Sequence, residues 1–251
     1  MNILKIIKEL YTGKDNIIGQ ITIFALVGIM AIAFNEVISV YTGNTLYAIF
    51  VVPSNSEVII FSMLGIMIFI FFTGYIYKFI HENYESETAC LPSVSMDGFT
   101  TFIKVFPVLF VWGLYLGLMV FAGLVLFGSA SVELYAFLII LLVLLPFINM
   151  VFIQFAKDFK YHRRIFNPLI VAAIIKKTFI KLLLFLLQFI IAGIIISAIN
   201  VFLLKYAMNG QSRTIQLISV LSVLCICSYL QQVLNLAYYK GLTEIIKKSE
   251  V

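Results

Sequence analysis

The stretch Phe137-Leu-Ile-Ile-Leu-Leu-Val-Leu-Leu-Pro-Phe147 decides the fold. Eleven residues pass without a charge, an amide or a hydroxyl, so no face of this segment is suited to water. It also lacks the apolar/polar alternation of a strand in a membrane β-barrel. Backbone amides facing hydrocarbon must be satisfied within their own segment, which leaves the α-helix.

Working outward, five more apolar runs of similar kind appear. Together the six lie at about residues 17–40, 58–79, 105–128, 132–155, 180–204 and 214–238. Each is long enough to cross roughly 30 Å of hydrocarbon at about 1.5 Å per residue. The composition agrees. Of 251 residues, 63% are apolar and 12% charged, against roughly 45–50% and 25% in soluble domains. So few charges cannot cover a water-facing surface, which excludes an ordinary soluble enzyme, a disordered protein and a nucleic-acid binder. The fold class is therefore all-α: a polytopic membrane bundle of six transmembrane helices over residues 17–240. The N-terminal 1–16 form an interfacial helix, and 241–251 a cytoplasmic tail.

The interfacial assignment rests on Ile3, Ile6, Ile7, Leu10 and Tyr11, which recur at helical spacing, with Lys5, Lys8 and Glu9 on other faces. Such a helix is expected to lie along the membrane surface. The N-terminus does not read as a signal peptide, because the first apolar run starts near Ile17 and is too long for a signal core. The three cysteines, Cys90, Cys225 and Cys227, offer no disulfide or zinc framework.

Orientation follows from the bases. Fifteen of the 17 Lys and Arg residues flank one end of the spans, and only Lys205 and Arg213 flank the other. The positive-inside rule then places both termini in the cytoplasm. Lys in preference to Arg, with abundant Ile, suits an AT-rich prokaryotic genome and hence a prokaryotic cell membrane.

Two connections on the basic side are patterned alike. After span four, Asn167-Pro168 is a good helix start, followed by Leu169, Ile170, Ala173, Ile174 and Lys177 on one face. After span two, Ser95 or Asp97 is the expected cap, followed by Phe99, Phe102 and Ile103 before Lys104. Each reads as an amphipathic cytoplasmic foot leading into the next span, and the pair suggests a weak internal repeat.

The order of motifs in these connections carries a resemblance. Gly74-Tyr75 closes span two, Leu91-Pro92 lies in a polar linker, and Asp97-Gly98-Phe99 opens the first foot. Residues 154–188 repeat the scheme: a span end, a basic linker, a Phe and a second foot. In this the chain resembles the bacterial and archaeal membrane proteins grouped as domain of unknown function 4013. That group is similar in layout to the membrane domain of some glycerophosphodiester phosphodiesterases. The resemblance spans about residues 15–240. It implies a membrane fold, but no activity, cofactor or site residue. The acidic linker His81-Glu82-Asn83-Tyr84-Glu85-Ser86-Glu87 departs from the group's usual pattern.

Candidate functional residues fall into three sets. Apart from Glu133 at the very start of its run, Glu36 is the sole acid inside an apolar run, near the outer interface, with Asn200 and Lys205 at similar depth as candidate partners. Asn149, Gln154, Gln188, Gln231 and Asn235 share the inner half with Gln232. They serve either as hydrogen bonds between spans or as the lining of a polar vestibule. Lys157, Lys160, Arg163, Arg164, Lys176 and Lys177 form a basic set suited to anionic headgroups at the cytoplasmic face.

Pro146 frees a backbone carbonyl within span four. Gly113-x-x-x-Gly117 and Gly193-x-x-x-Ser197 permit close helix packing, within the chain or between copies. His81 with its following acids is not the metal motif H-E-x-x-H, because Glu85 stands in the fifth position. No Walker loop, G-x-S-x-G elbow, zincin pair or pair of membrane aspartates occurs. Asp97-Gly98 resembles the opening of a phospholipid-headgroup transferase signature, without its downstream Arg and Asp residues. The expectation is a non-catalytic accessory or scaffold protein that needs no cofactor and no nucleic acid. It would contact lipid, a protein partner or a second copy. The alternative is a small permease or transporter subunit with a polar inner-half vestibule.

Overall fold

The computed structural model describes residues 3–12, 19–30, 55–84, 91–92, 95–128, 132–207 and 213–250, and every regular element among them is helical. In chain order these are α1 (Ile3–Thr12), α2 (Gly19–Met30), α3 (Asn55–Asn83), α4 (Asp97–Phe127), α5 (Val132–Ala156), α6 (Leu169–Ala207) and α7 (Arg213–Glu250). A single 3-10 turn, Arg163–Phe166, lies between α5 and α6. Helices α3 to α7 are each long and apolar enough to cross a membrane. Helix α2 covers the start of the first expected span. The rest of that span, with Glu36, lies outside the described residues, as do Cys90 and Glu85 to Glu87.

The helices outrun the segments that hydropathy delimits. Helix α6 has 39 residues, about 58 Å at 1.5 Å per residue, nearly twice the hydrocarbon thickness. The two stretches expected as feet are the opening turns of α4 and α6, continuous with the apolar helix that follows. At Asn167 the expected cap forms, its Oδ1 accepting the Leu169 N–H at 3.0 Å. At the start of α4 neither Ser95 nor Asp97 caps. Met96 occupies that position without a side-chain bond. The Asp97 carboxylate instead accepts from the Ser95 hydroxyl at 2.7 Å and from Lys78 Nζ of α3 at 3.1 Å. An ion pair to a neighbouring helix has displaced the local cap.

Glycine sets how closely α3 and α4 meet. A Cβ on Gly74 would stand 1.7 Å from the Gly98 carbonyl oxygen, and one on Gly98 would stand 2.9 Å from the Phe71 ring. The close helix contact therefore falls at Gly74 and Gly98. A Cβ at Gly113 or Gly117 would meet nothing within 4 Å, and at Gly193 only Leu234, at 4.0 Å. Within the described chain, therefore, neither motif brings two helix backbones together as Gly74 and Gly98 do.

Burial is concentrated at the basic end. Tyr75, Phe79 and Ile80 of α3, with Tyr84 just past its end, share one core with Met150, Ile153 and Phe155 of α5 and Leu234, Leu242 and Ile246 of α7. Toward the other end Leu118, Phe121, Ile139, Ile194, Phe202 and Ile215 are exposed. Their faces suit acyl chains. The N-terminal helix joins the buried end: Ile3, Ile6 and Leu10 are no more than 3% exposed. The Ile3 N–H donates to Gln188 Oε1 of α6 at 3.3 Å. Eight residues later the Tyr11 ring meets Tyr229 of α7 edge-on, with centroids 6.2 Å apart. Helix α1 therefore lays its apolar face on α6 and α7. Protein side chains, rather than lipid, cover the apolar face of this expected surface helix.

Candidate functional site

The most constructed region is the connection from α5 to α6. Helix α5 runs through Pro146 and stops where Phe159 takes φ +53°, a left-handed conformation uncommon for a bulky residue. The Phe159 N–H closes the helix onto Phe155 O at 2.9 Å. The strain is held by ring contacts to Phe155 at 5.7 Å and His81 at 4.9 Å between centroids. Asp158 Oδ1 then accepts the Lys160 N–H at 3.0 Å, turning the chain. Two side chains of α4 grip the next segment by its backbone. Trp112 Nε1 donates to Ile165 O at 2.9 Å, and the Tyr115 hydroxyl donates to Phe166 O at 3.0 Å. The Tyr161 ring stacks on Phe166, and its hydroxyl donates to Lys104 O. Asn167 then starts α6.

This connection forms one wall of a cleft of about 940 Å³. Its basic side chains are His162, Arg163 and Arg164 from the turn and Lys177 from α6. Gln154 at the end of α5 and Asn167 add amides. Ile165, Ile174 and Thr178 are buried at its back, with Ile246 of α7. The Thr178 hydroxyl donates to Ile174 O at 2.8 Å. No carboxylate is among the described residues that line the cleft. Asp158 stands just outside, 3.7 Å from His162 Nε2. Such a wall attracts anions.

The cleft divides the basic set. Arg163, Arg164 and Lys177 line it, whereas Lys157, Lys160 and Lys176 are exposed elsewhere. Lys157 Nζ lies 4.9 Å over the Tyr84 ring, with Lys247 Nζ 5.6 Å from the same ring. The inner-half amides are also dispersed. Asn149 donates to the Tyr238 hydroxyl at 3.3 Å, Asn235 to Gln232 Oε1 at 3.4 Å, and Gln188 accepts from α1. Gln231 is exposed, so Gln231 and Asn235 do not share a buried surface. Only Gln154 of this set reaches the cleft.

At the opposite end the Asn200 amide oxygen is enclosed and has no hydrogen-bond partner among the described residues. Its expected pairing with Glu36 lies outside those residues. Gly193, Ser197 and Lys205 of α6 border an open, largely apolar groove of about 750 Å³.

Two features escape a reading of the sequence. Lys240 is 1% exposed and donates to Asn83 O at the end of α3, at 3.0 Å. Its register with Val233, Leu236 and Thr243, all buried, was the available signal. His81, expected in a solvated linker, places Nδ1 3.0 Å from Ala156 O and 2.9 Å from Lys157 O. Both neighbours are carbonyl acceptors, so Nδ1 carries the hydrogen and ties α3 to the end of α5. Among the described residues no three His, Cys, Asp or Glu side chains gather as a metal site.

Compared with protein-family models, curated proteins and solved structures, the chain finds no match.

Proposed function

We propose that this chain is a non-catalytic integral membrane protein, an accessory or scaffold protein whose basic end contacts anionic lipid headgroups. On this reading it belongs to a prokaryotic cell membrane, with both termini and the basic end in the cytoplasm. Placement in the domain of unknown function 4013 group rests on the motif order alone, and Gly74 and Gly98 of those motifs are where α3 and α4 cross.

The observation that carries the reading is the wall of Arg163, Arg164 and Lys177, with no carboxylate among its described lining residues, built on a connection clamped by Trp112 and Tyr115. Headgroup contact draws on the negative potential of the membrane surface, about 1 kcal/mol per base near it. The permease alternative draws no comparable support. Asn149 of α5 donates to Tyr238 of α7, as polar glue between spans does, while Gln188 accepts from the N-terminal helix and Asn235 donates to Gln232 of its own helix. The exposed apolar half leaves ample surface for self-association or a membrane partner.

The test is lipid selectivity. Protein reconstituted in nanodiscs of mixed phosphatidylcholine and phosphatidylglycerol, then released for native mass spectrometry, is expected to retain the anionic lipid preferentially. Equal retention of the two lipids would remove the proposal.

A further inference from the structure

We propose that the cleft between the Arg163–Phe166 turn and α6 is a site for one phosphate-bearing amphiphile, an anionic glycerophospholipid. This rests on the lipid-contact reading above and assigns it to a place. Arg163 and Arg164 are adjacent on a 3-10 turn, and Lys177 stands on the facing helix. Guanidinium forks recognise phosphate oxygens bidentately, and the ammonium adds a point charge.

The helix start of α6 is not the binding element. The Leu169 N–H is taken by Asn167 Oδ1, and those of Ile170 and Val171 by the carbonyls of Asn167 and Pro168. Recognition therefore falls to the side chains. Their backbone is fixed beforehand, because Trp112 and Tyr115 hold the carbonyls of Ile165 and Phe166. Preorganisation of this kind lowers the ordering cost of binding.

The rest of the wall selects an amphiphile over a free anion. Ile170, Ile174 and Ile246 give the cleft an apolar side that inorganic phosphate could not use. Beyond Lys177 along α6, Phe179, Ile180, Leu183 and Leu184 are exposed. Ile180 is about 4.5 Å further along the helix axis than Lys177. A phosphate at Arg163, Arg164 and Lys177 thus lies next to exposed apolar side chains that lead along α6, with the exposed Lys181 one turn beyond Lys177 on the same face. A volume of about 940 Å³ accommodates a headgroup with the first segments of its chains.

The experiment compares Arg163→Gln/Arg164→Gln with Lys160→Gln/Lys176→Gln in the full chain. The second pair removes two exposed bases that do not line the cleft, so the lost charge is equal. Each variant is reconstituted in phosphatidylcholine nanodiscs with or without phosphatidic acid. Lipid retention is read by native mass spectrometry, and amide exchange over residues 163–178 reports occupancy. Glycerol phosphate and inorganic phosphate are added separately to protein in phosphatidylcholine alone.

The expected result is slower exchange of 163–178 with phosphatidic acid only, and at least about tenfold weaker retention in the arginine pair. The lysine pair should stay close to the parent protein. Equal loss in both pairs would overturn the cleft site while leaving a diffuse lipid-contacting face intact. Absence of any anionic preference in the parent protein would overturn both. Protection by soluble phosphate as strong as by phosphatidic acid would overturn the amphiphile assignment and identify the site as one for a free phosphate.

Discussion

The two ends of the bundle are built on different rules. At the basic end side chains interlock: Tyr75, Phe79, Tyr84 and Phe155 are buried, and aromatic donors hold backbone carbonyls. At the far end large apolar side chains such as Leu118, Phe121, Val201 and Phe202 stand exposed. In hydrocarbon, apolar side chains gain little by leaving lipid for one another. Helices associate there through close packing, polar bonds and small residues. Among the described residues the basic end shows all three, whereas the far end joins its exposed apolar surface to a close contact at Gly123, where a Cβ would stand 2.6 Å from the Phe137 ring. Glycine at the crossing, cation–carbonyl bonds and indole donors all sit within reach of the connections at the basic end. Among the described residues, the contrast teaches that the bundle interlocks most at the basic end and carries much of its exposed apolar surface at the other.

The strongest test of this contrast uses glycine. Gly74→Leu would drive a side chain into the Gly98 backbone, since even a Cβ would stand 1.7 Å from that carbonyl oxygen. The expected outcome is failure to fold, or a loss at or above the usual ~1–3 kcal/mol of overpacking, read by thermal unfolding in detergent. Gly117→Leu, where nothing lies within 4 Å, should change the midpoint little. If the two substitutions cost the same, the two ends are not packed differently.

How much of this was legible beforehand depended on whether a residue's role is local. The helical membrane class and the Asn167 cap are local properties, written in runs and short spacings. Which glycines meet is not local. Gly113-x-x-x-Gly117 has the better motif, yet Gly74 and Gly98 make the contact, because two helices must cross there. The amphipathic face of α1 is equally ambiguous, since lipid and protein demand the same pattern of Ile3, Ile6 and Leu10. The cleft was half legible. Its bases stood out by charge, but nothing in the sequence says that Lys177 faces Arg163 and Arg164 while Lys176 does not. Gln154, Thr178 and Ile246 join them from separate helices. Sequence spacing cannot carry that information.

A smaller effect is expected at Trp112, where the connection is gripped. Trp112→Phe keeps an aromatic ring and removes the donor to Ile165 O. The cost should be about 1–2 kcal/mol, that of a buried carbonyl left without its partner. The more specific readout is amide exchange. Residues 161–167 should exchange faster while α3 and α7 remain unchanged. An unaltered exchange pattern would mean that the turn is held by its aromatic stacking alone, and that the basic end owes its order to rings.

The smallest effect sharpens the comparison most, because it asks what the inner-half amides are for. Asn149 Nδ2 donates to the Tyr238 hydroxyl at 3.3 Å, and the Tyr238 ring packs on Phe185 and Phe189 of α6. Tyr238→Phe removes the acceptor and leaves the ring contacts. Interhelical hydrogen bonds of this kind are worth about 0.6 kcal/mol on average in a bilayer. The expectation is therefore a small fall in the unfolding midpoint with no gain in solvent access. If Asn149 instead lined a wet path, losing the phenol would cost nothing in stability. The thiol of an Asn149→Cys variant would then react with water-soluble reagents from the basic side. Slight destabilisation by Tyr238→Phe, with an inert thiol in Asn149→Cys, keeps Asn149 as glue. Full stability with a reactive thiol would revive the permease reading.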